Sequence, residues 1–295
     1  MSNIKINLYY WNNGVGVVND AILIKNILYE YDVTTYDISK NNNYRKSNLG
    51  IFIQNIQADQ LENNKKNILI INEEWLNPDE ILFLKQFDHL IVKSNYAKEL
   101  LKNEHQSVIQ TGFFSIDKHF FPRNTGNILH FKGKSIQKNT NLVKKYESIK
   151  ILDTDVDYLT ESQVMENLNS HDIHICCSLY ESWGHYLWEA MSCGKLVICS
   201  EIPVFKEYLD PQLVKFIPTK KVYKKVIGYE FLDTKIYYKY RQGYFVDSHI
   251  FQFILTDKEE LLEFQKNNND RIRNHFLHIN KTNKDKFLNT IKFIL

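Results

Sequence analysis

The sequence has few cysteines, no long apolar run and almost no excess charge, and each shortage removes a class of protein. The four cysteines, Cys176, Cys177, Cys193 and Cys199, have neither the spacing of a zinc site nor that of a secreted disulfide framework. They stand in apolar segments, where a thiol behaves as a small hydrophobe, so a reducing, cytoplasmic compartment is expected. No stretch approaches the length of a membrane span, which leaves only peripheral membrane contact open. Residues 1–10 lack the basic and apolar runs of a signal peptide. A net charge of +2 is too balanced for a dedicated nucleic-acid binder, and no nucleic-acid partner is expected.

Two nucleotide-binding signatures are incomplete. Gly133-Lys134-Ser135 matches the tail of a P-loop, but Ile128 stands where the first glycine of that loop belongs, and Gly126 is out of register. A triphosphate hydrolase is therefore disfavoured. In "WNNGVGVVND", Gly14 and Gly16 precede a helical pattern, but Asn19 replaces the third glycine of the dinucleotide fingerprint. Alone, the pair reads as a tight turn.

What is present is a chain of 295 residues, 43% hydrophobic and 14% aromatic, long enough for one large domain or two ordinary ones. Strand-like runs at 4–10, 33–38, 49–53, 68–71, 89–93 and 108–111 alternate with helical periods at 19–31 and after Ser94. Asn77, Pro78, Asp79 and Glu80 read as a helix start. The rhythm breaks at 121–126 and resumes with strands at 128–131, 149–152, 156–159, 173–178 and 196–200. Between them come helices at 139–146, at 160–169 behind a Thr160/Gln163 capping box, and at 185–192, with Gly194 at a helix end. The expectation is an α/β architecture: two doubly wound, Rossmann-like parallel-sheet domains facing a cleft, at 1–124 and 125–295. The Lys/Tyr-rich stretch 220–244 reads as an insertion. Asn41–Asn43 and Asn267–Asn269 read as surface loops. A helix is expected from 268 to 295, with its last part returning to the first domain.

The chemistry concentrates in "YESWGHYLWEAMSCGKLVICS", residues 180–200. Glu181 follows a buried strand at its carboxyl end. Gly184 and His185 open a helix, whose first N–H groups and dipole suit an anion such as a diphosphate. Glu189 lies one turn beyond His185 on the same face, placed to accept hydrogen bonds from ribose hydroxyls, while Glu181 sits near a sugar on the far side of the phosphates. His171, Asp172 and His174 read as structural rather than as metal ligands.

The segment resembles the retaining glycosyltransferases of family 4, which have the two-domain GT-B fold. Their Glu, seven residues, Glu hallmark appears here as Glu181-Ser182-Trp183-Gly184 followed by Glu189-Ala190-Met191. The resemblance implies transfer of a sugar from a nucleoside-diphosphate donor to a glycan or other hydroxyl acceptor, with retention and without a metal or cofactor. It assigns Gly133, Lys134 and Lys138 to the diphosphate, with Lys138 and Lys134 assisting its departure beside Glu181. It assigns Ser182, Trp183, Gly184, His185 and Tyr186 to the donor phosphates, and Glu189 to the ribose. Gly14 and Gly16 fall in the family's Gly-rich loop, and backbone near Tyr158 and Leu159 borders the base. Lys134 replaces the usual Arg, a point charge for a planar fork. The histidine common in the family's first domain is missing after the strand at 68–71. Asp20, a candidate acceptor contact or helix cap, and Glu74, a candidate acceptor contact or plain loop carboxylate, stand on the acceptor side. A non-catalytic sugar-nucleotide or partner binder on the same fold is the alternative.

Overall fold

The computed structural model describes every residue except 1–3, 13–15, 41, 57, 77, 120–124, 134–135, 154–156, 158, 223–242 and 247. The chain forms two compact units, which divide between Phe114 and Ser115 and again between Asn280 and Lys281. The expected break at 121–126 falls largely on residues outside those described.

The first unit is built on six strands: β1 (Lys5–Tyr10), β2 (Asp32–Asp37), β3 (Ser47–Ile53), β4 (Asn64–Ile71), β5 (His89–Val92) and β6 (Val108–Gln110). They pair in the order β2-β1-β3-β4-β5-β6, all parallel. Continuous apolar runs such as Ile68–Ile71, buried throughout, fit a sheet covered on both faces. Helix α1 (Gly16–Ile27) starts earlier than the sequence period suggests. Ser94 caps α2 (Asn95–Leu101) by accepting from the Ala97 N–H at 3.1 Å. The segment expected to open a helix at Pro78 is instead a 3-10 run, Pro78–Gln86, and its expected cap Asn77 lies outside the described residues. Tyr9, Phe52, Leu69, Phe87 and Leu90 form one core of this unit.

The second unit holds five parallel strands: β7 (Ile128–Lys132), β8 (Ile149–Asp153), β9 (Ile173–Cys176), β10 (Leu196–Ser200) and β11 (Lys215–Ile217), in the order β11-β10-β9-β7-β8. Around them lie α3 (Thr140–Val143), α4 (Glu161–Ser170), α5 (His185–Ser192) and α6 (Pro203–Tyr208). The Thr160/Gln163 capping box forms as expected, with the Thr160 N–H donating to Gln163 Oε1 at 2.8 Å. The helix expected at 139–146 is only α3: Asn139, with a left-handed φ of 55°, stands before it, and after Val143 the chain continues in turns, with Lys145 and Tyr146 N–H donating to the Leu142 and Val143 carbonyls. The strand expected at 156–159 does not extend to Asp157 or Leu159, and its other residues lie outside those described.

Helices α7 (Ser248–Thr256) and α8 (Lys258–Ile294) close the chain. The helix expected from 268 forms and begins earlier, at Lys258, so that Asn267–Asn269, also read as a loop, is helical. Asparagine is a weak helix former, but Leu261, Gln265, Ile272 and Phe276 are all buried on one face, and burial of that face outweighs local propensity. A two-stranded antiparallel ribbon, β12 (Thr219–Val222) and β13 (Gly243–Val246), flanks 223–242. Most of the expected insertion therefore lies outside the described residues. All four cysteines are free and buried. Among the described residues no helix is long and apolar enough to cross a membrane.

Candidate functional site

The site is assembled where β9 hands over to α5. Gly184 sits at the helix N-cap with φ 82° and, as a glycine, has no side chain with which to cap this end. A Cβ at Gly184 would stand 2.9 Å from the Phe205 ring. Glycine is thus demanded twice, by the left-handed backbone and by the close approach of α6. The helix then begins with its first N–H groups and positive dipole end beside Glu181, the local geometry that favours a bound anion.

Glu181 is held in place by two side chains. Its Oε1 accepts from Ser178 Oγ at 2.8 Å and pairs with Lys138 Nζ. The carboxylate side chain is only 7% exposed and the lysine 22%, so the charges meet in a partly desolvated setting. Lys138 ends a 3-10 turn, Ile136–Lys138, that follows β7. That turn is tied to β9's extension by the Leu179 N–H donating to the Gln137 carbonyl at 2.8 Å. His130 on β7 holds the turn's far side, with Nε2 2.9 Å from Thr140 Oγ1 and Nδ1 2.9 Å from the Ile175 carbonyl oxygen. Burial drives the His130 pKa down to about 4, and the nearby Lys138 charge adds to this. Its ring is therefore neutral near pH 7.

Glu189, one turn into α5, is partly buried. Its pKa is raised, because burial disfavours the carboxylate more than the charges of His185, Lys118 and Lys138 favour it, with Glu161 adding repulsion. The Lys138 charge, paired to Glu181, also reaches Glu189, so the two motif glutamates share one electrostatic neighbourhood. Lys118 enters the site from the segment before β7. Its N–H donates to Ser192 Oγ at 2.9 Å, Ser192 Oγ donates to the Glu189 carbonyl at 2.7 Å, and its Nζ pairs with Glu161 at 2.7 Å. Nothing in local sequence marks Lys118, since its neighbours here are tens of residues away.

His185, the first residue of α5, has its Nδ1 2.9 Å from Ser115 Oγ, which also accepts from Trp183 Nε1 at 2.9 Å. The other candidates divide. Trp183 stacks on Trp188 with centroids 4.9 Å apart, so its ring is committed to packing. Tyr186 Oη donates to the Leu129 carbonyl at 3.1 Å and lies 3.0 Å from His174 Nδ1. Its hydroxyl therefore faces the interior, and only its backbone remains as a donor-site group. Ser182 is buried. Gly133 lies directly after β7, with a Cβ there 3.5 Å from the Lys138 chain. Leu159 is partly buried in the approach to α4. Lys134, Gly14 and Tyr158 lie outside the described residues.

In the first unit, Gly16 opens α1, and a Cβ there would meet nothing within 4 Å, so packing does not require the glycine. Asp20 is not a helix cap. It lies inside α1, 2% exposed, and pairs with Lys93 Nζ at 2.9 Å. Glu74 is buried in a short 3-10 turn after β4, not on an exposed loop.

His171, Asp172 and His174 have structural partners. Asp172 pairs with Lys195 at 3.0 Å and accepts from the Gly126 N–H at 2.7 Å. His174, driven to a pKa of about 3 by burial, lies 3.2 Å from the Leu168 and His171 carbonyl oxygens. Among the described residues no group of three or more His, Cys, Asp and Glu could hold a metal ion.

Residues 124–223, which include both glutamates and Lys138, match the family model described as Glycosyl transferases group 1. No curated protein matches the chain in sequence. Solved structures do match in fold. A glycosyltransferase from Rickettsia africae aligns over 100% of this chain and 99% of its own at 11% identity, with a TM-score of 0.64. A sucrose-phosphate synthase from Thermosynechococcus elongatus aligns over 98% and 100% at 12% identity, TM-score 0.59. Anabaena HepE in complex with UDP and glucose aligns over 98% and 100% at 10% identity, TM-score 0.59. Two parallel-sheet α/β units and these likenesses give a GT-B-like fold.

Proposed function

We propose that the protein is a glycosyltransferase that moves a sugar from a nucleoside diphosphate to a glycan or other hydroxyl acceptor, with retention and without a metal or cofactor. One observation carries this reading. A glutamate paired to a lysine stands beside the N-terminus of α5, which opens at Gly184, and a second glutamate of raised pKa stands one turn further along the same helix. The match of 124–223 to Glycosyl transferases group 1 supports it, as does the family 4-like motif for the retaining course.

In this reading the donor's diphosphate takes the α5 N-terminus, where backbone N–H groups and the dipole offset its charge. Lys138 leaves Glu181 for the phosphate oxygens, joined by Lys134. Negative charge on the diphosphate grows as the glycosidic bond breaks, so a fixed cation lowers the barrier. Glu181, released from the lysine, accepts hydrogen bonds from hydroxyls of the donor sugar. Glu189 accepts from the ribose. The acceptor hydroxyl attacks the face from which the diphosphate departs, and its proton passes to the leaving phosphate oxygen. The four buried thiols suit a reducing, cytoplasmic compartment.

A thermal-unfolding screen against UDP-, GDP-, ADP- and dTDP-sugars tests the reading, since a ligand of the folded state raises the midpoint with its concentration over Kd. One base is expected to stabilise the wild-type protein and to release nucleoside diphosphate on turnover, and Glu189→Ala is expected to abolish the stabilisation. A protein stabilised by none of them is not this enzyme.

A further inference from the structure

The first sheet reverses its winding at one place. Its order β2-β1-β3-β4-β5-β6 puts β2 on one side of β1 and β3 on the other. In an open parallel sheet, ligands lie beyond the carboxyl ends of the strands at such a point. The last register pair of β1 and β3 is Tyr10 with Ile53. Trp11 and Gln54 are therefore the next residues on two neighbouring strands, whose backbones run about 5 Å apart. Both lie in the first unit, and the α5 site uses neither.

Trp11 is 45% exposed, whereas Trp183 and Trp188 are 3% and 1% exposed and stacked on each other. Among the described residues no hydrogen bond or ring contact engages the Trp11 indole. The chain on either side of it is pinned. The Tyr10 carbonyl accepts from the Ile38 N–H at 2.9 Å, and the Asn12 N–H donates to the buried Asp37 carboxylate. The ring is thus displayed from a fixed strand end. Gln54 has a left-handed φ of 64°, a strained state for a residue with a Cβ, and such strain persists where the surroundings hold it and often serves a site. Here the Gln54 N–H donates to the Ile70 carbonyl at 2.9 Å, and its Oε1 accepts from the Asn72 N–H at 2.7 Å. With the oxygen committed, the half-buried side chain has its Nε2 protons to offer.

We infer that Trp11 and Gln54 form a subsite for a sugar ring of the acceptor, so that the acceptor is a carbohydrate. The inference rests on the proposed function and names the acceptor class which that reading leaves open. A pyranose presents an apolar face of C–H groups and a rim of hydroxyls. The C–H face lies against the indole, whose negative π-face attracts the slightly positive hydrogens, and a rim hydroxyl accepts from Gln54 Nε2. A lipid chain would gain from Trp11 but would bury the Gln54 donors unpaired. An extended peptide finds no sheet edge to extend here, because β1 and β3 are both paired on either side.

Transfer from the nucleotide sugar that stabilises the protein is measured onto methyl glycosides of hexoses, deoxyhexoses and N-acetylhexosamines, with a Ser/Thr-rich peptide and a long-chain alcohol as competing acceptor classes. A glycoside is expected to be the best acceptor. Its KM is expected to rise about tenfold in Trp11→Ala, the order of one aromatic contact. A severalfold rise is expected in Gln54→Gly, which keeps the left-handed backbone and removes the amide. Trp11→Phe, which keeps an aromatic face, is expected to recover most of the loss. The same glycoside is expected to shield tryptophan fluorescence from acrylamide in the wild-type protein and not in Trp11→Phe, which reads contact without turnover. The rise in unfolding midpoint given by the nucleotide sugar should persist in each variant, and this separates a lost acceptor subsite from a misfolded protein. The inference is overturned if the peptide or the alcohol is the best acceptor, if no glycoside accepts the sugar, or if the glycoside KM is unchanged in Trp11→Ala; the proposed function survives all three, since donor binding is read separately. If no nucleotide sugar stabilises the wild-type protein, the inference and the proposed function fall together.

Discussion

Lys138 Nζ rests on Glu181 Oε1, the same oxygen that accepts from Ser178 Oγ at 2.8 Å. In this state the cation assigned to the diphosphate neutralises the carboxylate assigned to the sugar. The pair keeps a carboxylate that is 7% exposed from standing uncompensated, and it holds the lysine within reach of the α5 N-terminus.

Removing one partner should therefore damage both stability and turnover. Lys138→Met is expected to lower turnover by about 10²–10³-fold, the usual loss when one fixed transition-state donor is removed. It should also destabilise the fold by about 1–3 kcal/mol, less than for a fully buried pair because the lysine is partly solvated. The double variant Lys138→Met/Glu181→Gln should recover stability in urea unfolding but not activity. Recovery of activity would separate the pair from catalysis.

Glu189 gives a pH-dependent signature. Its pKa is raised in the folded protein by burial, so between the unfolded value of 4.5 and the raised folded value the native state holds the extra proton. Stability then falls as pH rises through that window and stays lowered above it. Glu189→Gln removes this penalty. The variant is expected to unfold at a higher temperature than wild type at pH 7 and at the same temperature at pH 3.5, while donor affinity drops at least tenfold through loss of a charged acceptor. A Tm difference that does not change with pH would contradict this.

Gly184 is the steric hinge of the site. Gly184→Ala combines a left-handed backbone, φ 82°, with a Cβ 2.9 Å from the Phe205 ring. The expected loss is about 1–3 kcal/mol from backbone strain and displacement of the ring. Adding Phe205→Leu should return the part due to the ring and leave a cost on the order of 1 kcal/mol from the backbone, measured by urea unfolding. A neutral Gly184→Ala would mean the α5 start can rearrange freely.

These residues also mark how far the sequence could be read. The places of Glu181, Gly184 and Glu189 at a strand end and a helix start were legible because local chain geometry sets them, and Lys138 was singled out only through the family resemblance. Helix α5 and β10 have the bounds that the apolar period and Gly194 imply. Lys118, Ser115 and Asn280 were not legible, because their partners are distant in sequence. Ser115 and Asn280 are 165 residues apart and Ser115 and His185 are 70 apart. Asp20 was read as a cap or a ligand contact because its partner Lys93, 73 residues away, could not be seen from α1. Asn267–Asn269 was misread because loop propensity is local, whereas the burial of Gln265 and Ile272 that overrides it is tertiary.

His130 and His174 contribute strongly to the response to acid. Burial lowers their pKa to about 4 and about 3, from 6.5, so the unfolded chain binds protons at pH values where the folded chain does not. For a group depressed in this way, stability is fully present above pH 6.5 and is lost as pH falls toward the folded value. Between pH 6 and 4.5 the two histidines together are expected to tilt the unfolding free energy by up to about 2.7 kcal/mol per pH unit, two protons at 1.36 kcal/mol each. Glu189 opposes them wherever its own window overlaps. Urea unfolding across this range should show a steep fall toward acid, and His130→Asn should reduce the slope by up to one proton whatever its effect on stability at pH 7. If the slope is unchanged in His130→Asn, then His130 does not enter the fold as a neutral ring, and the anchoring of the Lys138 turn through Thr140 Oγ1 must be reassigned.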